Sequence, residues 1–166
     1  MSHNIQLRMP IMEDLDLLLD LENDLKQAEY TDLPGFYTKE QMEQFLDSDH
    51  DLFINQQLRY IITVDSKLAG CVDLYNHDVV NSRVGIGIFV LPEFRKKGVA
   101  VNAIEQVKKL SRTKFYLKQI FATISSINTK SITLFEKSGF EKTGVRKDWI
   151  RTEDSFVDVY FYQCFL

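Results

Sequence analysis

The chain has few of the residues that characterise small secreted proteins and metal-binding proteins. Its 166 residues include two cysteines and three histidines. Two cysteines cannot form a disulfide framework, and Cys71 and Cys164 lack the spacing of a zinc site or a redox pair. We expect both thiols to be buried and inert. Because His3, His50 and His77 do not cluster with carboxylates, we predict no metal site.

Long apolar runs and an excess of positive charge are also missing. No run reaches the length of a membrane span, and the N-terminus lacks the charged-then-apolar pattern of a signal peptide. The net charge of −4 argues against nucleic acid or an anionic membrane as the main partner. We therefore expect a cytoplasmic protein. With 45% hydrophobic residues, the chain can bury one core, which predicts a single domain over residues 1–166.

Residues 83–109 form the most informative stretch, because they read as a strand, a glycine-containing loop and a helix. In the strand, residues alternate between two faces: Val84, Ile86, Ile88 and Val90 lie on one, and Gly85, Gly87 and Phe89 on the other. The glycines leave room for a molecule to lie close to the backbone. Pro92 ends the strand, and apolar residues recur at helical spacing from Val99 to Leu110.

The loop between strand and helix predicts an anion site. Backbone N–H groups at the start of a helix lack intrahelical partners and carry the positive end of the helix dipole. Arg95, Lys96 and Lys97 add positive charge, Gly98 allows the backbone to turn, and Ala100 keeps the helix start unobstructed. A diphosphate would fit here; the alternative is an ordinary basic surface loop before a helix.

Two motifs resemble those of the Gcn5-related N-acetyltransferases (GNAT), which bind acetyl-CoA. The segment Arg95-Lys96-Lys97-Gly98-Val99-Ala100 is similar to the family's pyrophosphate loop. Residues 128–131, followed by a helix ending in Glu-Lys-Ser-Gly-Phe at 136–140, resemble its second motif. The patterns at 70–74 and 144–149 are most similar to the branch with spermidine and ribosomal-protein N-terminal acetyltransferases.

The patterns along the chain agree with the fold that this resemblance implies. Strands are predicted at residues 5–8, 59–65, 68–75, 83–90, 119–125, 140–150 and 156–165. Helices are predicted at residues 12–25, 38–46, 99–110 and 128–139. The expected fold is α/β: a GNAT-like mixed, mostly antiparallel six- to seven-stranded sheet flanked by about four helices.

The resemblance implies direct transfer of an acetyl group from acetyl-CoA, as co-substrate, to a primary amine. A polyamine or other small amine is favoured; the alternatives are a protein N-terminal or lysine acetyltransferase and a non-catalytic acyl-CoA binding module. The implied cofactor contacts fall into three groups. Pantetheine pairs with Ile88, Phe89 and Val90, the pyrophosphate lies on Arg95, Lys96, Lys97, Gly98, Val99 and Ala100, and Asn128, Ser131 and Lys137 flank the thiol and the rest of the arm.

Two family positions are occupied by residues that cannot perform the usual proton transfers. Many members carry a tyrosine at Phe135 as the proton donor to the thiolate, and a glutamate at Arg83 as the base. Ser131, one helical turn before Phe135, is a candidate donor, although it could instead bond to local backbone. Asp73 and then Glu29 are candidate bases acting through water. The alternative for Asp73 is a solvent-facing strand residue.

Acids and aromatics near the first two helices offer a possible acceptor region. The acids Glu22, Asp24, Glu29 and Asp32 could attract a polyamine or a basic peptide terminus, or form a solvated face. Four aromatics near these helices are expected in the core rather than in an acceptor cage: Phe36, Tyr37, Phe53 and Tyr60. Three others are expected to pack the last strands: Trp149, Tyr160 and Tyr162. The apolar residues 161–166 could also meet a second copy in a homodimer.

Overall fold

The computed structural model describes residues 4–24 and 36–166. Its strands are β1 (Ile5–Arg8), β2 (Leu58–Val64), β3 (Lys67–Asp78), β4 (Arg83–Val90), β5 (Gln119–Ser125), β6 (Glu141–Arg151) and β7 (Phe156–Phe165). Its α-helices are α1 (Leu15–Glu22), α2 (Lys39–Leu46), α3 (Leu52–Asn55), α4 (Val99–Thr113) and α5 (Thr129–Lys137). Within these ranges, no helix is long and apolar enough to cross a membrane.

The strands form one seven-stranded sheet in the order β1-β2-β3-β4-β5-β7-β6. Every neighbouring pair is antiparallel except β4 and β5, which are parallel. A parallel pair needs a crossover connection, and α4 supplies it. The predicted mixed, mostly antiparallel sheet is therefore confirmed.

Two apolar layers cover the two faces of the sheet. The larger contains Val84 and Ile86 of β4 packed with Ala103 and Ile104 of α4. The smaller lies under α1 and α2, where Phe89 of β4 packs beside buried residues of both helices. The alternation predicted for β4 is confirmed, since its two faces enter different layers.

The structure differs from the predicted elements at two helices. Helix α3 was not predicted: Asp51 accepts hydrogen bonds from the N–H groups of Phe53 (2.7 Å) and Ile54 (3.2 Å), which closes one short turn. Four residues are too few to show a helical period. The predicted helix at 12–25 begins as a 3-10 turn at Met12–Asp14 before α1. Residue 25 lies outside the described residues.

The core positions predicted for several aromatics are wrong. The side chains of Phe36, Tyr37 and Phe53 are 72%, 44% and 50% exposed, whereas Tyr60 is buried as expected. Trp149, which was expected to pack the last strands, is half exposed on β6, an edge strand with most of its residues exposed on both faces. The core prediction failed because a sequence shows which residues are hydrophobic but not which strand or helix end is covered by a neighbouring element.

Candidate active site

The two parallel strands pair at only one end. Their ladder joins Arg83 to Gln119, Val84 to Ile120 and Gly85 to Phe121, while β4 continues to Val90 and β5 to Ser125. We call this short ladder the junction, and the space between residues 86–90 and 122–125 the β4–β5 cleft. No strand of the described chain pairs with residues 86–90 on the cleft side.

Hydrogen bonds at the end of β4 show which backbone groups face the cleft. The N–H of Leu91 donates to the Ala69 carbonyl of β3 at 2.8 Å. Because successive residues of a strand point their backbone groups in opposite directions, those of Ile88 and Val90 face the cleft. There the Val90 carbonyl accepts a hydrogen bond from Arg95 Nε at 2.7 Å.

Phe89, the third residue predicted on this edge, faces the other way. By the same alternation, which the Leu91 hydrogen bond fixes, the backbone groups of Phe89 point toward β3 and its ladder partner Cys71. The Phe89 ring lies 5.5 Å from the Arg95 guanidinium carbon. Phe89 therefore supports the loop that follows the strand through its side chain.

The predicted anion loop leads directly into α4. Lys96 and Gly98 both have positive φ, at 60° and 75°, and Gly98 is the N-cap residue of the helix. A Cβ built on Gly98 would have no heavy atom within 4 Å, so the space above it is open. Arg95, Lys96 and Lys97 are exposed.

The first residues of α4 contribute backbone rather than side chains to this loop. The Val99 side chain is 1% exposed and packs in the core, and the Ala100 methyl is part-buried against it. The first intrahelical bond at this end is from Asn102 N–H to the Gly98 carbonyl, at 3.0 Å. The preceding N–H groups and the positive end of the helix dipole therefore meet the loop.

The start of α5 forms near the other wall of the cleft. Asn128 is its N-cap, as predicted, and its side-chain oxygen accepts from the Ser131 N–H at 3.1 Å. Ser131 is part-buried in the first turn. Lys137 ends the helix, eight residues and about 12 Å beyond Thr129. Asn128 and Ser131 thus lie together, whereas Lys137 does not lie with them.

The two positions that depart from the family pattern have structural partners. Phe135 is 3% exposed and packs edge-to-face on Phe140, with ring centroids 5.0 Å apart. Arg83 forms a 2.9 Å ion pair with Asp78. Neither side chain can serve as the expected acid or base.

Asp73 belongs to a charged cluster on the α1–α2 face of the sheet. Arg59 donates from Nε to Asp73 Oδ1 (2.6 Å), and from Nη2 to Asp73 Oδ2 (2.8 Å) and Glu22 Oε1 (2.6 Å). Burial lowers the pKa of Arg59, but the carboxylates outweigh this effect and the net pKa is raised. Asp73 thus has a partner, and its role as a base stays a prediction. Glu29, the second candidate base, and Asp32 lie outside the described residues.

Open space adjoins this charged cluster. Asp73 is paired across the β3–β4 ladder with Gly87, and a Cβ built on Gly87 would meet nothing within 4 Å. Asp73 retains 36% side-chain exposure. The room predicted along the glycines of β4 is therefore present at Gly87, beside two carboxylates and one guanidinium.

At the other strand glycine, the space is filled by a residue that sequence reasoning missed. A Cβ on Gly85 would lie 2.3 Å from Cε2 of Tyr75, so the tyrosine ring crosses β4 at this point. The Tyr75 hydroxyl lies 3.4 Å from Thr123 Oγ1 on β5. The ring also meets Phe121 edge-to-face at 5.8 Å. Only the strand register, which pairs Tyr75 with Gly85, could have indicated this contact.

The burial expected for the two cysteines is confirmed. Both are free and buried, and burial raises the pKa of each thiol above its usual range. In residues 4–24 and 36–166, no group of three or more histidines, cysteines and carboxylates is arranged to hold a metal ion.

Comparison with known proteins gives consistent matches. The family described as "Acetyltransferase (GNAT) domain" matches residues 4–141. Spermidine N(1)-acetyltransferase of Escherichia coli is 28% identical over 147 residues, which cover 86% of this chain and 76% of the relative. The putative ribosomal N-acetyltransferase YdaF of Bacillus subtilis is 26% identical over 98 residues, covering 59% of this chain and 54% of the relative.

Solved structures show the same fold at lower identity. Spermidine N-acetyltransferase from Vibrio cholerae, in complex with CoA and spermine, has a TM-score of 0.86 and 22% identity, covering 97% of this chain and 95% of that one. The family domain, matched over residues 4–141, contains the pyrophosphate-loop motif, the cleft and the second motif. The chain therefore belongs to the GNAT family of N-acetyltransferases.

Proposed function

We propose that the protein transfers an acetyl group from acetyl-CoA to a primary amine, with a polyamine or another small amine as the favoured acceptor. The observation that carries this proposal is the continuous path from the cleft-facing backbone of Ile88 and Val90 to the start of α4 at Gly98. It offers hydrogen bonds for an amide-containing arm and, at its end, a positive helix terminus for a diphosphate.

The donor would bind along this path. The arm's amides pair with Ile88 and Val90, and the diphosphate takes the free N–H groups at the start of α4 together with the charge of Lys96 and Lys97. The Val90 N–H, which faces the cleft, donates to the oxyanion formed on the thioester carbonyl. Holding donor and acceptor together supplies much of the rate, since oriented groups reach effective molarities of about 10⁵ to 10⁸ M.

The charged cluster supports a cationic acceptor. Glu22 and Asp73 bring two negative charges and Arg59 one positive charge, so the cluster is net negative beside the open space at Gly87. An ammonium group there gains a favourable field before it loses a proton to the base, for which Asp73 and Glu29 are the candidates. The name of the Escherichia coli relative, a spermidine acetyltransferase, supports a polyamine.

A coenzyme-binding module without turnover is the second candidate. The buried Phe135 and the ion-paired Arg83 favour it, because both usual proton-transfer groups are replaced. Loss of one such group typically costs about 10² to 10⁴ in rate. That cost slows an enzyme without abolishing it, so we favour the enzyme.

Calorimetry of acetyl-CoA binding tests the donor site. Gly98→Asp places a carboxylate in the open space at the diphosphate position, and Gly98→Asn is the matched control of equal size without the charge. Both residues tolerate positive φ better than most. We expect Gly98→Asp to weaken binding at least 10-fold more than Gly98→Asn. Equal effects, or no binding by the folded wild type, would contradict the proposal.

An acceptor panel then separates the functions. Thiol release from acetyl-CoA with spermidine, spermine and simpler primary amines identifies a small-amine acetyltransferase. Intact-mass measurement of offered peptides identifies a protein N-terminal or lysine acetyltransferase instead. Tight acetyl-CoA binding without thiol release on any acceptor would establish the binding module.

A further inference from the structure

The side chain of Arg95 turns back from the start of the anion loop toward β4. Its Nε donates to the Val90 carbonyl at 2.7 Å, and its guanidinium carbon lies 5.5 Å from the centroid of the Phe89 ring. The Val90 carbonyl faces the cleft, whereas the Phe89 ring packs in the smaller apolar layer. The Arg95 side chain therefore crosses the end of β4 and covers a backbone group that faces the cleft.

The covered carbonyl belongs to the path proposed for the donor. An arm amide that pairs with Val90 would donate its N–H to this oxygen from the cleft side. No strand of the described chain pairs with Val90 on that side, so Arg95 is the partner that the structure gives to the carbonyl. Binding of the arm must therefore either displace Arg95 or share the carbonyl with it.

A second position for the guanidinium lies at the other end of the same loop. Arg95 is three residues before Gly98, where the diphosphate is proposed to bind. The Arg95 N–H is held by the Pro92 carbonyl at 3.2 Å, so the side chain can rotate toward the loop while the backbone stays in place. Within residues 4–24 and 36–166, no carboxylate forms an ion pair with Arg95. A guanidinium binds phosphate oxygens with charge-assisted hydrogen bonds.

We propose that Arg95 is a specificity-determining residue that makes binding of the pantetheine arm depend on binding of the diphosphate. This inference rests on the proposed function. In the free protein Arg95 covers the Val90 carbonyl. A diphosphate at Gly98 attracts the guanidinium, and the carbonyl becomes available to the arm. Because the diphosphate favours one of two side-chain positions and the arm favours the same one, the two halves of the coenzyme bind cooperatively.

The consequence is a preference among donors that share the same reactive arm. A thioester of pantetheine without the nucleotide has the amides and the acyl group, but it has no diphosphate to attract Arg95 from Val90. It must break the bond between Arg95 and Val90 without forming another bond to the guanidinium. A coenzyme A thioester replaces that bond with one to its diphosphate. Arg95 thus favours coenzyme A thioesters over pantetheine thioesters.

Titration with the two halves of the coenzyme tests this coupling without an acceptor. After coenzyme A itself, pantetheine and ADP are each titrated alone and in the presence of the other, by calorimetry or, where binding is weak, by NMR. In the wild type we expect saturating ADP to tighten pantetheine binding about 2- to 10-fold, the effect of one hydrogen bond. Arg95→Met should tighten pantetheine alone by a similar factor, weaken ADP and abolish the coupling, because methionine neither covers Val90 nor binds phosphate.

Two further variants separate the covering of Val90 from charge alone. Lys97→Met removes a positive charge from the same loop, and it should weaken ADP while leaving pantetheine binding and the coupling unchanged. Arg95→Gln keeps an N–H donor that can cover the Val90 carbonyl but lacks the charge. Pantetheine alone should therefore bind to Arg95→Gln as weakly as to the wild type, and ADP should no longer tighten it. Both side chains are exposed, and circular dichroism checks that each variant is folded.

The possible results are distinguishable. If the wild type binds coenzyme A but Arg95→Met leaves pantetheine binding unchanged or weakens it, the inference is overturned while the donor site stands. The carbonyl, which has two lone pairs, would then be shared between Arg95 and the arm. Independent binding of ADP and pantetheine to the wild type would overturn the inference as well. If the folded wild type does not bind coenzyme A, the proposed function fails, and the inference with it.

Discussion

Arg59 shows how one side chain can connect two parts of the chain that are distant in sequence. It bonds to Glu22, 37 positions earlier, and to Asp73, 14 positions later. Its guanidinium also lies 5.8 Å from the Phe45 ring. Because the side chain is only 13% exposed, its bonds are shielded from water and salt more than those of a surface pair. Arg59 therefore holds α1 against the β2–β3 hairpin while setting the charge beside Gly87.

We predict that Arg59→Met destabilises the protein by about 2 to 4 kcal/mol, because it leaves two carboxylates without their shared partner. Methionine keeps most of the apolar length, so the loss reports the charge. Arg83→Met is the matched control: Arg83 is 48% exposed in its pair with Asp78, and we expect a loss below about 1 kcal/mol. Urea unfolding measures both, and equal losses would contradict the prediction.

The start of the first helix depends on a carboxylate that the sequence places just before it. Asp14 is 4% exposed and accepts hydrogen bonds from Arg8 Nη1 and Nη2, both at 2.8 Å, and from the Ile11 N–H at 2.9 Å. Burial raises the pKa of Asp14, but these bonds outweigh burial and the net pKa is lowered. Residues 12–14 therefore form a 3-10 turn that is fixed to β1.

This arrangement predicts a pH-dependent contribution to stability. Because the folded pKa of Asp14 is lowered, its contribution is complete above the ordinary aspartate pKa of about 4 and is lost as the pH falls through the folded value. We expect Asp14→Asn to cost about 2 kcal/mol at pH 7. The difference from wild type should shrink as the pH is lowered from 4.

Urea unfolding between pH 7 and pH 2.5 measures this effect. Asp16→Asn, on the exposed side of α1, is the control and should cost less at pH 7. A wild-type advantage over Asp14→Asn that stays constant to pH 2.5 would be evidence against the ion pair as its source.

Elements with a clear period or a known motif could be predicted from sequence, whereas contacts set by register could not. The alternation in β4 and the Asn128 cap were visible as local patterns. The contact of Tyr75 with Gly85 requires the β3–β4 register, and the Arg59 bonds require the packing of α1 on the sheet. These site residues were missed because their partners are separated from them in sequence, and not because the secondary-structure propensity of either segment is weak.

At the scale of the whole molecule, the sheet is two blocks joined by three residue pairs. Strands β1 to β4 form one block, β5 to β7 the other, and the junction connects them at Arg83, Val84 and Gly85. A ligand in the cleft would contact both blocks. Because it would bind the folded state and not the unfolded chain, the stabilisation would grow with the logarithm of its free concentration once that exceeds the dissociation constant.

We predict that acetyl-CoA slows amide hydrogen exchange at both walls of the cleft. The amides of Ile88 and Val90 would gain direct partners, and peptides covering 122–131 should slow because the second wall is held against the ligand. Mass spectrometry of exchanged peptides measures this, with β1 as the internal control, since it lies at the far edge of the sheet. Protection confined to the α4 start would show that the arm does not enter the cleft.

The junction also fixes the order in which the protein can be assembled during synthesis. The pairs β2–β3, β3–β4 and β6–β7 join strands that follow one another along the chain, but β4 meets β5 only after α4 has crossed between them. Such non-local pairing is slow, because the loop must close before its contacts form. Since β5 also pairs with β7, the second wall is complete only when the last strand is available. A nascent chain thus completes the second wall of the cleft only once β7 has been synthesised, after most of the first block can fold.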